Sequence, residues 1–368
     1  MLSSCTKRRA AETTASVLSG AQSADEIDAF STEQMDRYQI PGLSLAVVRR
    51  GELIAARSYG FNDIELRIKA DNQTVYQIAS VTKIFTSVGI MMLVEDNKLS
   101  LDSRVIELLP NLPESWSNIR VRHLLNHTSG LPSHLESNPR YQADERLRRQ
   151  RERFVDAEKL DHFTAAERLS YLIELPLQFQ PGKKWAYNQP GYLLLGILVE
   201  HLTGQPFSAF MRQRLFSKLG MDSAQFGDSR VVVPHRRQVA YTRQYGPLQN
   251  WLWPYSTSDY PAAGLNMSAP DAAKSFLALT TGRLLREATI ESMWAQVQLE
   301  SGERVKYAQG WTVGEIAGRK TVGHEGGGCA WVSHVPAEGL TVIVLSNLAG
   351  SGADLGDKLA ARLIQGRA

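Results

Sequence analysis

Cysteine is scarce in this chain of 368 residues: there are only two, Cys5 and Cys329. Two thiols build neither a disulfide framework nor a zinc cluster. No apolar run reaches the roughly 18 residues of a membrane span. A dominant charge is missing too. The 41 Lys+Arg against 38 Asp+Glu leave a formal charge of +3, too balanced to argue for nucleic acid. Small molecules are therefore the expected partners. Several catalytic motifs are absent. Without G-x-S-x-G, an α/β-hydrolase nucleophile elbow is excluded. No P-loop or G-x-G-x-x-G opens a helix. His123 and His127 are four apart, but Leu124 stands where a zincin has Glu. That pair reads as core or loop packing, and neither metal nor cofactor is expected.

What is present is an ordinary globular composition, 43% hydrophobic and 21% charged. A chain this long buries a sizeable core unaided, as one large domain or two smaller ones. Residues 1–22 lack the apolar core of a signal peptide, so the chain as written reads as cytoplasmic. Leu2-Ser3-Ser4-Cys5 nevertheless resembles the end of a bacterial lipoprotein signal. A lipid anchor at Cys5, and a periplasmic place, would follow if an upstream part had been trimmed.

Residues 1–23 read as a flexible, Ala/Ser/Thr-rich tail. Residues 24–38 form a predicted helix with Ile27, Phe30 and Met35 on one stripe, ended by Pro41-Gly42. Leu43–Arg49 and Leu53–Ser58 read as strands of a hairpin turning at Gly51-Glu52. A helix follows over Ser80–Asn97, apolar all round in its second half and therefore buried. Residues 100–289 look mostly helical. Strands return between Arg304 and Asn347, most clearly at Leu340–Leu345. A helix with Leu355, Leu359 and Leu363 closes the chain. The arginine-rich stretch Arg146–Arg153 reads as a solvated helix face. Alternating βαβ units are not seen. The fold class expected is α/β in the α+β sense: an antiparallel sheet flanked by helices, with an inserted all-α subdomain. Residues 24–368 then form one catalytic domain, its α/β part being 24–80 plus 290–368 and its helical part 81–289.

The chemistry-bearing motif is S-x-x-K, which occurs at Ser4–Lys7 and at Ser80–Lys83. The first lies in the tail. The second begins the buried helix, where residues three apart share a face. A serine hydroxyl needs a neighbouring base before it attacks. A lysine in an apolar helix has a depressed pKa and can be that base. The free N–H groups of a helix start favour a developing oxyanion. The alternative is an N-cap serine beside a snorkelling lysine. Two further segments, Pro181–Tyr192 and Val322–Gly328, offer a tyrosine, a histidine and a Gly-rich strand, the parts that assist proton transfer and complete an oxyanion hole.

With these segments in order, the chain resembles the penicillin-recognising serine hydrolases. It is most similar to the branch of class C β-lactamases, serine D-Ala-D-Ala carboxypeptidases, D-aminopeptidases and family VIII esterases. The resemblance runs from about Pro41 to Asn347. It includes Ile78-Ala79-Ser80-Val81-Thr82-Lys83, Leu124–Pro132, Gly191–Gly196, Ala263-Gly264-Leu265 and the His324 segment. It implies a β-lactamase/transpeptidase-like fold with the nucleophile at the seam of two parts. It implies Ser80 as nucleophile and Lys83 as base, with Tyr187 sharing proton transfer. The third motif falls on His324-Glu325-Gly326, and the backbone N–H groups of Ser80 and Gly327 would form the oxyanion hole. Gln189 replaces the usual asparagine of Y-x-N, which leaves its substrate contact open.

Substrate is argued from charge. His324 is largely neutral near pH 7 and Glu325 adds negative charge, so carboxylate recognition is weakened. Esters or uncharged amides are favoured over D-Ala-D-Ala peptides and penicillins. Trp251, Trp253, Tyr255 and Tyr260 are candidates to line an apolar acyl pocket, with ordinary packing as the alternative. Cys329 is either a small buried hydrophobe or a thiol near the pocket. A slowly acylating penicillin-binding sensor is the non-enzyme alternative.

Overall fold

Alternation along the central strands divides the interior into two cores. In β1 (Gly42–Arg49) Leu43, Leu45 and Val47 face one core, and Ala46 and Val48 the other. In β7 (Leu340–Ser346) Leu340, Val342 and Val344 share the first core, and Ile343 and Leu345 the second. Both faces are thus covered, which is why Val342–Leu345 of β7 reads as a continuous apolar run rather than an alternating one. The computed structural model describes residues 20–133, 138–143, 163–227, 237–251 and 256–366. Cys5, Arg146–Arg153, Trp253 and Tyr255 lie outside the described residues.

The main sheet is antiparallel with seven strands, built from both ends of the chain. Its order is β3-β2-β1-β7-β6-β5-β4, where β2 is Glu52–Asp63, β3 Ile68–Lys69, β4 Thr312–Ile316, β5 Arg319–Gly326 and β6 Ala330–Val335. The two ends meet where β1 pairs with β7, Leu45 opposite Val344. The first hairpin turns at Arg50-Gly51, one residue earlier than the sequence reading. Both residues have positive φ, 50° and 79°, the requirement of a tight two-residue turn whose twist matches the strands.

Terminal helices α1 (Gly20–Tyr38) and α5 (Leu355–Gln365) cover one face with Ile27, Phe30, Leu355, Leu359 and Leu363. The other face carries α2 (Thr82–Glu95) and the helical region with α3 (Pro190–Thr203). Two features of residues 100–289 differ from the expectation. Helix α4 (Ala269–Thr280) packs on β1 and β7 through Ala272, Ala273 and Phe276, so it belongs with the sheet. Residues 225–267 contain short strands, Gln225–Phe226, Tyr241–Thr242, Gln249–Asn250 and Leu265–Met267. Strands of two or three residues are too short to show an alternating pattern. Among the described residues no helix is long and apolar enough to cross a membrane.

Candidate active site

The nucleophile position is set by a strained turn. Tyr76–Gln77 pairs with Leu265–Met267, and the Ile78 N–H extends that pairing to the Leu265 carbonyl at 3.1 Å. Ala79 then takes φ +44°, a left-handed conformation costly for a residue with a Cβ. A single 3-10 turn, Ala79–Val81, carries Ser80 into α2. The predicted helix therefore starts at Thr82, with Ser80 on the turn before it.

Lys83 lies in the first turn of α2 and is fully buried. Its Nζ is 3.2 Å from Ser80 Oγ and donates to the Ala262 carbonyl at 2.9 Å. The amine also lies 4.9 Å from the ring centre of Tyr187 and 5.2 Å from that of Tyr192. Burial pushes its pKa down to about 7, against a smaller upward pull from Asp259. Asp259 is held by Arg168 at 2.6 Å, which leaves one anion near the lysine already paired. A free amine is thereby present at neutral pH.

Tyr187 reaches the same oxygen from the other side, its Oη 3.0 Å from Ser80 Oγ. Burial raises its pKa, so it is a phenol and not a phenolate. The next residue, Asn188, is structural: its Oδ1 accepts from the Gly191 N–H at 3.0 Å and its Nδ2 donates to the Ala186 carbonyl at 3.0 Å. Gln189 is exposed and is the N-cap residue of α3, with no side-chain capping bond. The structure does not place it among the cavity-lining residues.

The third motif is the end of β5. His324 is buried, and both ring nitrogens are occupied. Tyr307 Oη donates to Nε2 at 2.9 Å, and Nδ1 donates to the Glu325 carbonyl at 2.6 Å. A carbonyl only accepts, so the proton sits on Nδ1. Burial, with Lys83 nearby, pushes the imidazole pKa down to about 3. His324 is therefore a neutral strut with no nitrogen left for proton exchange with Ser80. Glu325 accepts from the Gly328 N–H, and desolvation raises its carboxyl pKa. Gly326 passes against the nucleophile turn. A Cβ there would stand 2.2 Å from the Ile78 carbonyl oxygen and 3.2 Å from the Ser80 nitrogen. Gly327 follows at φ +55°, its carbonyl tied to the Gly350 N–H at 2.9 Å. Cys329 is buried beneath this turn, its Sγ 3.2 Å from the Gly326 carbonyl, and burial raises its thiol pKa. It is the small buried hydrophobe of the two readings.

This contact carries a prediction. Gly326→Ala forces the β5 end away from Ser80 and lowers the acylation rate by about 10²-fold, the scale of a 1 Å misplacement. Burst kinetics with a p-nitrophenyl ester measure it, and an unchanged burst rate contradicts it.

A cavity of about 320 Å³ opens on Ser80. Tyr187, Tyr307 and Trp185 give it aromatic walls, and His324, Thr312, Lys306 and Glu325 complete the lining. The structure thus brings Ser80, Tyr187, His324 and Glu325 into one cavity, with Lys83 behind Ser80. Trp251 is not part of that lining. Its ring stacks on Tyr245 at 6.0 Å, and its backbone N–H donates to the Ala240 carbonyl at 2.7 Å. Tyr260 stacks on Phe226 at 5.5 Å and packs, half-buried, against the core. The sequence reading missed Tyr307, Lys306 and the place of Trp185. Trp185 sits two residues before Tyr187 and was recoverable from that spacing. Tyr307 and Lys306 carry no motif.

A sheet assembled from both chain ends, packed on a helical region with S-x-x-K at the junction, defines the β-lactamase/transpeptidase class of serine hydrolases. Residues 27–366 match the Beta-lactamase family, and the chain belongs to it. Penicillin-binding protein 4* of Bacillus subtilis is 24% identical over 308 residues, 79% of this chain and 64% of its own length. The chain thus spans a little under two thirds of that curated relative. The octameric penicillin-binding protein homologue of Pyrococcus abyssi shares the fold, with TM-score 0.77 and 24% identity over 93% of this chain and 77% of its own. So does a D-amino acid amidase of Ochrobactrum anthropi, with TM-score 0.76 and 22% identity over 94% of this chain and 98% of its own.

Proposed function

We propose that the protein is a serine acyl-hydrolase acting on small esters and uncharged amides, with esters preferred. The observation that carries this reading is Ser80 Oγ set 3.2 Å from Lys83 Nζ and 3.0 Å from Tyr187 Oη. Catalytic acids and bases must first be within such reach. With its pKa near 7, Lys83 is the base, and Tyr187, a phenol, relays the proton.

Ser80 Oγ attacks the substrate carbonyl carbon and its proton passes to Lys83. The carbonyl electron pair becomes an oxyanion held by the backbone N–H groups of Ser80 and Gly327. The tetrahedral centre collapses, the bond to the alcohol or amine breaks, and that leaving group takes the proton through Tyr187. Water then attacks acyl-Ser80, gives its proton to Lys83, and the acid departs as Ser80 is re-protonated.

The ester preference rests on a neutral His324, which offers no cation to a substrate carboxylate, and the walls of Trp185, Tyr187 and Tyr307. Trp185 and Tyr307 line the cavity at Ser80 where Trp251 does not, and they support an apolar acyl site there. One observation favours a second reading, a D-Ala-D-Ala carboxypeptidase or β-lactamase. Lys306 lines the cavity, and among the described residues it has no ion-pair partner. Its ammonium would attract a substrate carboxylate. A family member described as a D-amino acid amidase supports amide chemistry as such.

A purified-protein panel decides between them: p-nitrophenyl esters of several chain lengths, a chromogenic cephalosporin and a D-Ala-D-Ala peptide. The expected result is a higher kcat/KM for an ester than for either carboxylate substrate. The reverse order assigns the Lys306 reading. A stable fluorophosphonate adduct at Ser80 with no turnover makes the protein a sensor.

A further inference from the structure

We infer that His127 is the positioning residue for Tyr187, holding its phenol on the nucleophile. This rests on the proposed roles of Ser80 and Tyr187. His127 is fully buried and takes φ +62°, a left-handed conformation uncommon outside glycine. Its hydrogen bonds bracket Tyr187. The His127 carbonyl accepts the Ala186 N–H at 3.0 Å, and Nδ1 accepts the Asn188 N–H at 3.3 Å. The residues before and after Tyr187 are therefore both tied to His127. The imidazole also packs on the Tyr187 ring itself, centroids 4.3 Å apart. Backbone and side chain of one residue fix the loop on two sides and the ring on a third.

The same imidazole reaches the other elements of the site. It lies 4.8 Å from the ring of Tyr307, the partner of His324, and 5.4 Å from the ring of Tyr192, which underlies Lys83. Because Nδ1 accepts, the proton sits on Nε2, and Nε2 is buried with no hydrogen-bond partner among the described residues. An unpaired buried donor is a cost that a phenylalanine of similar shape would avoid. Volume filling alone does not account for histidine here, whereas the Nδ1 acceptor does. Burial, with Lys83 and His324 nearby, holds the imidazole well below its usual pKa. His127 therefore stays neutral and carries no proton in the reaction. It acts through Tyr187.

The test is a double-mutant cycle read by the rate of fluorophosphonate labelling of Ser80, which can be followed for hours and so stays measurable in slow variants. His127→Phe keeps an aromatic ring and removes the acceptor. In the parent it lowers the labelling rate, and kcat for a p-nitrophenyl ester, by about 10²-fold with little change in KM. His127→Asn keeps an acceptor and tolerates the left-handed backbone, so it loses less. In a Tyr187→Phe background neither substitution slows labelling further, because the hydroxyl that His127 positions is gone. Equal slowing in both backgrounds overturns the inference, since that is what general loosening of the fold produces. If His127→Phe fails to fold, His127→Asn is read through the same cycle. Absence of labelling at Ser80 in the parent protein is a distinct result, and it overturns the hydrolase reading itself.

Discussion

Replacing Ser80 with alanine lowers kcat for a p-nitrophenyl ester by about 10⁶-fold, the scale seen when a nucleophile acting as part of a unit is removed. Fluorophosphonate labelling is lost with it. The argument is one of geometry. Lys83 and Tyr187 converge on one oxygen, Ser80 Oγ, and have no reacting atom to serve once it is gone. The cavity holds one other aliphatic hydroxyl among its described lining, that of Thr312, and its Oγ1 is committed to the Gly323 carbonyl at 2.9 Å. It cannot take over the attack. The backbone around Ser80 does not depend on the hydroxyl, because the turn is held by the Ile78–Leu265 and Val81–Ile78 backbone bonds. Circular dichroism and thermal unfolding of the variant should therefore match the parent. Retention of a substantial fraction of turnover in a folded variant would remove Ser80 from the mechanism.

How much of this was legible beforehand follows from which interactions are local. Ser80 and Lys83 are three apart on one chain turn, so their meeting is a matter of helix geometry. The strands at Leu43–Arg49 and Leu340–Leu345 announce themselves because each is long enough to bury both faces. Tyr307 is different. Its hydroxyl finds His324 across 17 residues, Tyr307 bridging to Thr312 at the start of β4 and Thr312 pairing with Gly323 of β5, and no spacing rule encodes that. His127 was visible as a histidine and read as packing. Its weight comes from two hydrogen bonds and a ring contact to a loop some 60 positions away, which only the folded chain brings together. Trp251 shows the opposite case. A cluster of aromatics in sequence looked like a pocket wall, yet its indole stacks on Tyr245 instead. Proximity along the chain is a poor guide where the backbone runs through strands of two residues.

Lys83→Met separates what the lysine does for chemistry from what it costs the fold. Methionine fills a similar volume without the amine, so the base is lost and kcat/KM falls by about 10⁴-fold, the upper range for a general base. In the parent, kcat/KM rises with pH through about 7 and then levels, because only the free amine of Lys83 accepts the Ser80 proton. That acid limb disappears in the residual activity of the variant, and its persistence would assign the base elsewhere. Stability moves the other way. The unfolded chain keeps the lysine proton up to about pH 10.5, while the folded chain releases it near 7. Between those values the unfolded state holds more protons, so parental stability rises with pH across that window. Below pH 7 the folded state bears the full burial cost, roughly 5 kcal/mol for a fall from 10.5 to about 7 at 1.36 kcal/mol per pKa unit. Removing the amine leaves the Ala262 carbonyl without its 2.9 Å donor, an offset of about 1–3 kcal/mol. The net sign is stabilising, so Lys83→Met unfolds at a higher temperature than the parent at pH 6, and the gap narrows towards pH 10. A less stable variant at pH 6 would mean that the buried lysine is better compensated than its surroundings of Tyr187, Tyr192, the Ser80 hydroxyl and a single carbonyl allow. The same burial that makes Lys83 a base at neutral pH is thus the strain that its replacement relieves, and activity and stability must part at this residue.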